Sequence, residues 1–584
     1  MGIDRITNIH LKHLGPHGLQ TLTNIANYSY SHCAIPDIWK MGKIITLLKP
    51  NKPPTQPASY RPITLLCTPS KVVERLILLK TAPHIPLSPT QHGYRQHHST
   101  TTLLTNLTQR VQDGINTRSP PKRTLLTTID ISKAFDAISR PLLTNKIFST
   151  TLHNNTKRWL ANYLAGRQAH VHYNGTSSHN RNFPNGVPQG SVLSPTLFNL
   201  YMHDIPSTPN NVHISSYADD LSILSVHTDK NICSAQLQDY ITHLENWLTQ
   251  NRLTVAPTKS TNTLLTSHKK EHSYRPTTTL NNTILPHTHE TKILGVTYNT
   301  SLSFAPHVNN IITKCRPRLN ALRSLTSTTF GQHKETLITV YKQYIHSIIN
   351  YASPAWHPAL SKTQLNKLQT IQNTALRIIL GSTQTTPIEH LHAEAKVLTL
   401  NQHLDMRGTQ FLASAIHNVD SPCHYFHDHQ PTPRNIANTP FNHYSSILNT
   451  IPPPTNTTRL KTHIHTHLTR RALNSQNNNR ILNTRPPAIS STETQLSRSE
   501  RVHLTRLRCG HHPALNSYTH NIIDNTHTDT CPICQTSPHT ITHLMEECHG
   551  LVDLRQQHHI HSVQQLWTEP VCVVPFLRGA GLLA

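Results

Sequence analysis

The chain has 584 residues, with 53 Lys and Arg against 28 Asp and Glu, a formal net charge of +25. That length holds several domains, and so large a basic excess points to a polyanionic partner such as a phosphate backbone, although the 46 histidines and only 18 glycines show a compositional bias that accounts for part of the charge. Ten scattered cysteines exclude a disulfide framework and fit a reducing compartment, nucleus or cytoplasm, and the lack of an apolar run near ~18 residues or a secretory leader excludes a membrane partner.

Taken in chain order, residues 69–80 have the spacing of an amphipathic helix. The apolar stretch Leu125-Leu126-Thr127-Thr128-Ile129 reads as a buried strand ending on Asp130, and it opens Asp130-Ile131-Ser132-Lys133-Ala134-Phe135-Asp136. The run from Phe183 to Pro195 carries Gly186, Gln189, Gly190 and Ser191. Its glycines allow close backbone approach to a ligand, and a helix follows through Leu197 to Met202. Val212-His213-Ile214 and Leu221-Ser222-Ile223 alternate with period two around Tyr217-Ala218-Asp219-Asp220, the pattern of a β-hairpin. Two adjacent carboxylates at a hairpin tip repel unless cations neutralise them. Two divalent metals about 4 Å apart would do so and would clamp a phosphoryl group, with Asp130 as third ligand. By itself the tetrad reads more readily as a solvated turn.

Beyond residue 305 the pattern turns helical. Leu337, Val340, Tyr341, Tyr344, Ile345 and Ile348 recur at three and four, as do Leu365, Leu368, Ile371, Ala375, Leu376 and Ile379. Residues 420–500 are rich in Pro, Asn, Thr and His and read as a linker or loosely ordered region. Cys531, Cys534, His543 and Cys548 have the types and number of a tetrahedral zinc site, Cys-x-x-Cys from one turn and the other pair from a short helix.

Asp130 with Phe135, the Gly-Val-Pro-Gln-Gly-Ser run and Tyr-Ala-Asp-Asp, in that order, resemble the palm motifs of reverse transcriptases. Ile38-Trp39-Lys40, Ser59-Tyr60-Arg61-Pro62-Ile63, Lys71-Val72-Val73-Glu74-Arg75, Gln91-His92-Gly93-Tyr94-Arg95, Tyr163-Leu164-Ala165-Gly166-Arg167 and Lys292-Ile293-Leu294-Gly295-Val296 narrow the resemblance to non-LTR (LINE-type) retrotransposons, most like the Jockey-related group. It runs from about residue 10 to 410. It implies an α+β right-hand polymerase: fingers and the start of the palm over 1–125, catalytic palm over 126–300, helical thumb over 305–410. After the linker come a zinc-knuckle-like region over 501–560 and an unclassified tail over 561–584, of which residues 571–584 look unlike the family.

The resemblance also implies roles. Asp130 and Asp219 would bridge two magnesium ions, with Asp220 a ligand set a little further away and the Ile131 carbonyl assisting. Phe135 would lie under the incoming sugar and clash with a 2′-hydroxyl, whereas Asp136 is structural and pairs with a nearby base. Gln189 and Gly190 would line the nascent pair, Arg61 would contact the triphosphate, and Lys259 would protonate the pyrophosphate. The partners are then an RNA template, a DNA primer or target and deoxynucleoside triphosphates, with a separate endonuclease supplying the nick, since the chain begins almost at the fingers. Ala256, Asn299 and Tyr94 depart from the usual family residues but remove no metal ligand. An inactive remnant that only binds nucleic acid stays open as the alternative reading. A viral RNA-dependent RNA polymerase is disfavoured by Phe135.

Overall fold

The computed structural model describes residues 2–117, 120–429, 439–453, 459–475 and 478–583. They divide into two compact units, 1–302 with 418–436 and 303–417 with 437–584.

In the first unit, β1 (Met41–Leu48) takes β2 (Tyr60–Leu65) antiparallel on one side and β4 (Gln168–Tyr173) parallel on the other. The helix expected over 69–80 is α1 (Thr68–Thr81), with Val73, Glu74 and Ile77 buried. The second sheet is antiparallel, in the order β5 (Val212–Tyr217), β6 (Asp220–His227), β3 (Arg123–Asp130), β7 (Thr261–Leu265). The central strands β3 and β6 are buried on both faces, whereas β5 at the edge alternates buried and half-buried residues. Leu125, Ile129, Leu221 and Ile223 join a core with Leu237, Tyr240, Ile241 and Leu244 of α4 (Lys230–Gln250). On the opposite face lies α2 (Thr100–Ile115), where a methyl group added at Gly114 would touch Val226 and Thr124. Period two puts Thr124, Leu126, Thr128 and Asp130 on that same face, with α2 over one end and Asp130 at the other. The hairpin and the strand ending on Asp130 are as expected, and the helix after the Gly-rich run is α3 (Ser194–Tyr201).

The second unit is helical. Its first helix, α5 (Ala305–Ser324), carries Lys314, Arg316 and Arg323 exposed, while Arg318 stacks on Tyr344 with its guanidinium 4.6 Å from the ring centre. α6 (Lys362–Leu380) starts on a Ser361–Gln364 capping box and stops at Gly381, whose φ of +65° suits the left-handed closing position. α7 (Leu400–Ile416) follows.

One expectation needs correction. Much of 420–500 is ordered: α8 (Pro440–Leu448) and α9 (Leu460–Asn474) lie within it, and residues 430–438, 454–458 and 476–477 fall outside the described ones. Few apolar residues suffice because α7 offers small ones. Tyr444 lies so close to Gly408 that a methyl group there would overlap its ring, and Ile464 packs with Ala413. The tail is also part of a core. α10 (Pro570–Gly579) buries Val573, Phe576 and Leu577 against Leu504, Leu507 and Leu544. Pro575 inside that helix hides its periodicity from a sequence reading.

Candidate active site and metal centre

The tip of the β5–β6 hairpin is a two-residue turn. Tyr217 and Asp220 are register partners, and Ala218 adopts a φ of +55°. Across the sheet Asp130 is the register partner of Asp220, so their Cα atoms are neighbours, and Asp219 stands in the turn beside them. Three carboxylates from two distant segments therefore meet at one sheet end. Their electrostatics reflect the crowding. Burial pushes the Asp220 carboxyl up to about 6, with Asp219 and Asp130 adding to the rise. Burial and Asp130 also raise Asp219, while the guanidinium of Arg61 opposes them. Lys259 places its Nζ 3.1 Å from Asp130 Oδ2. Such a site favours added positive charge.

The other expected residues surround this end. Ile131 bridges to Val255, and the flanking bonds run from Ala256 N–H to the Asp130 carbonyl at 3.0 Å and from Ser132 N–H to the Thr254 carbonyl at 2.8 Å. Phe135 stacks on Phe198, ring centres 4.6 Å apart, and meets Tyr94 edge-on at 6.1 Å. Gly190 has a φ of +131°, and a Cβ there would lie 2.5 Å from the Thr64 carbonyl oxygen, so only glycine lets this loop close onto β2. The Thr64 N–H donates to the Gln189 carbonyl at 2.7 Å. Asp136 does not pair with a base as expected: its Oδ1 accepts from the Gln189 side-chain amide at 3.0 Å. An amide 53 positions away, brought in by the loop, takes the place that charge matching along the sequence assigns to a cation.

Two supporting residues escaped the sequence reading of the site. Gln91 is 1% exposed, and its Oε1 accepts from Ala218 N–H at 3.0 Å and Gly93 N–H at 2.8 Å, clamping the turn that bears Asp219. Glu74, fully buried, accepts from the Ser191 hydroxyl at 2.7 Å and the Val192 N–H at 2.8 Å, bracing the loop that carries Gln189. Both sit in segments that carry the family resemblance, yet nothing in their local spacing shows what they touch.

In the second unit the ligand atoms of Cys531, Cys534, His543 and Cys548 all lie within 4.8 Å of one another, and all four residues are buried. Cys534 Sγ is 3.2 Å from His543 Nε2, and His543 Nδ1 is 3.4 Å from a Glu547 carboxylate oxygen. Hydrogen bonds from the Thr536 hydroxyl and backbone hold the Cys534 thiol down at about 5, whereas burial pushes Cys548 up to about 11. Three sulfurs and one imidazole fit tetrahedral zinc. Cys509, His511 and His512 stand outside this cluster, the last two bonded to Thr385 and His503.

Residues 48–298 match the reverse transcriptase (RNA-dependent DNA polymerase) family model. This segment is a reverse transcriptase domain. Over 426 residues, 70% of the chain, the protein is 30% identical to the probable RNA-directed DNA polymerase from transposon BS of Drosophila melanogaster. It is 28% identical over 70% of its length to that from transposon X-element of the same species, and 28% over 68% to that from mobile element jockey of Drosophila funebris. These alignments take in 46%, 45% and 44% of the relatives, so the chain spans less than half the length of the relatives it matches. The resemblance of the reverse transcriptase domain to the Jockey-related group is borne out by these relatives. Among solved structures, a Candida tropicalis telomerase in complex with a fragment of telomeric RNA aligns over 68% of this chain and 66% of its own at 11% identity, with a TM-score of 0.35, too slight a likeness to argue from. Among the described residues no helix is long and apolar enough to cross a membrane.

Proposed function

We propose that the protein is an RNA-directed DNA polymerase of a non-LTR retrotransposon, adding deoxynucleotides to a primer 3′-hydroxyl. The observation that carries this reading is the pairing of Asp130 with Asp220 across β3 and β6, with Asp219 in the adjoining turn. Asp130 and Asp219 would hold two magnesium ions, with Asp220 and the Ile131 carbonyl beside them. Bound there, such ions lower the pKa of the attacking hydroxyl and neutralise the leaving pyrophosphate. The chain's own groups do the rest. Arg61, whose charge reaches Asp219, meets the triphosphate. Lys259, already at the carboxylates, donates a proton to the departing pyrophosphate. Phe135, held between Phe198 and Tyr94, presents a fixed ring against a 2′-hydroxyl. Gln189, anchored by Asp136, and Gly190 line the nascent base pair. An RNA template, a DNA primer and deoxynucleoside triphosphates are the substrates. Zinc at Cys531, Cys534, His543 and Cys548 is structural, since four protein ligands leave no open position.

Primer extension on poly(rA)/oligo(dT) with magnesium tests the polymerase. Incorporation should be lost in Asp219→Asn while binding of the duplex persists. Duplex binding without incorporation by the unaltered protein would favour the inactive remnant.

A further inference from the structure

A second group of metal-ligating side chains lies in the helical unit, apart from the four-residue Cys/His cluster and unused by the polymerase reading. His357 follows the short helix Ser353–Trp356, Asp405 lies in α7 and His443 in α8. His443 Nε2 is 2.7 Å from Asp405 Oδ1, His357 Nδ1 is 3.8 Å from the same oxygen, and the three ligand atoms lie within 4.8 Å of one another. Ligands about 2.0–2.2 Å from a tetrahedral ion stand about 3.3 Å apart, so shifts of about half an ångström reach the distances to Asp405.

A fourth side chain orients two of the three. Asn401 Oδ1 accepts from the His357 Nε2–H at 3.1 Å, and its Nδ2 donates to Asp405 Oδ2 at 3.0 Å. One amide thus fixes the imidazole tautomer that leaves the Nδ1 lone pair toward Asp405, and it occupies the carboxylate oxygen that faces away. Metal-binding histidines and carboxylates are oriented by such outer hydrogen bonds. His357 is 4% exposed, whereas the side chains of Asp405 and His443 are 21% and 27% exposed, so a path to solvent exists on one side.

We propose that His357, Asp405 and His443 form a second divalent-metal site, clamping α8 and the 353–357 turn to α7. Two imidazoles and one carboxylate select a borderline ion of the zinc type over magnesium or calcium, and water completes the coordination. The competing arrangement is a hydrogen-bonded network alone. In it the His443 Nε2–H donates to Asp405, and the Tyr444 hydroxyl, 3.2 Å from His357 Nδ1, donates to that nitrogen.

Cobalt(II) titration of the purified full chain, stripped of metal beforehand and then held in excess magnesium so that the carboxylates of Asp130, Asp219 and Asp220 are already filled, separates the two. Two equivalents should bind. One carries the intense near-ultraviolet band of a cobalt–thiolate centre, and the other shows only weak visible bands. His443→Ala should keep the thiolate band and lose one equivalent. Cys548→Ser should lose that band and keep the other equivalent. Asp405→Asn, which keeps size and one acceptor oxygen for Asn401 and presents an N–H that the other tautomer of His443 accepts, should weaken the second site at least tenfold with little change in Tm of the metal-free chain. Binding of a single equivalent by the unaltered chain, or unchanged stoichiometry in both His443→Ala and Asp405→Asn, overturns the proposal. Because these two variants leave the cysteine site intact, a folding failure of Cys548→Ser does not weaken the result.

Discussion

The clamp at Gln91 provides the sharpest test of how the site is held. Gln91→Leu keeps the volume and burial of the side chain but removes the acceptor shared by the Ala218 and Gly93 N–H groups, bonds of 3.0 and 2.8 Å. A buried donor left without a partner costs ~1–3 kcal/mol, so the two together cost ~2–6 kcal/mol if the turn does not move. The turn can relieve this by shifting, and a shift carries Asp219 with it. Since ~1.4 kcal/mol of lost transition-state stabilisation is tenfold in rate, a third of that cost expressed at the active site lowers kcat by ~3- to 30-fold. Gln91→Glu retains an acceptor in the same place and should keep the turn folded, although its charge adds to the carboxylate cluster. Steady-state primer extension with parallel thermal melts distinguishes the outcomes. The expected result for Gln91→Leu is a fall in kcat with little change in deoxynucleotide KM and a lower Tm. Full kcat with an unchanged Tm would refute the clamp.

Three further outcomes are expected. The folded pKa of Asp220, about 6, lies above its unfolded value near 3.8, so its contribution to stability is fully present below about pH 4 and is lost as pH rises through about 6. In the absence of divalent ions, Tm should fall across that window more steeply than in Asp220→Asn, and magnesium should raise Tm at pH 7 but not at pH 4; parallel profiles for the two proteins would count against this. Phe135→Ala should raise the ratio of ribonucleotide to deoxynucleotide kcat/KM by tenfold or more, and an unchanged ratio would remove Phe135 as the gate. Arg508, fully buried, bonds Glu394 at 2.7 Å and Glu493 at 2.6 Å, and Lys334 adds a contact to each. Arg508→Leu leaves two buried carboxylates facing one lysine and should cost ~3–5 kcal/mol in urea unfolding, whereas a loss below ~1 kcal/mol would show that the network contributes little.

The ordered motifs made the polymerase lineage legible, because each rests on residue type and short spacing. Alternation around Tyr217-Ala218-Asp219-Asp220 specified the hairpin, and the apolar run to Asp130 specified a strand ending in a carboxylate. Cys-x-x-Cys with His543 and Cys548 marked the four residues that the structure brings together for the same reason, since coordination chemistry restricts the donor types. These features are local, and local backbone preferences carry them.

What the linear order could not supply was which distant groups meet. The partner of Asp136 is an amide on the Gly190 loop rather than a cation, the turn bearing Asp219 hangs on Gln91, and Glu74 braces Ser191 from another helix. Nor did composition reveal that 440–448 and 460–474 would form helices, because the stabilising partner of Tyr444 is the small residue Gly408 on a different helix. Burial of a polar group is favourable only where the whole chain brings a complementary atom to it. That match is a property of tertiary packing, and no short segment contains it.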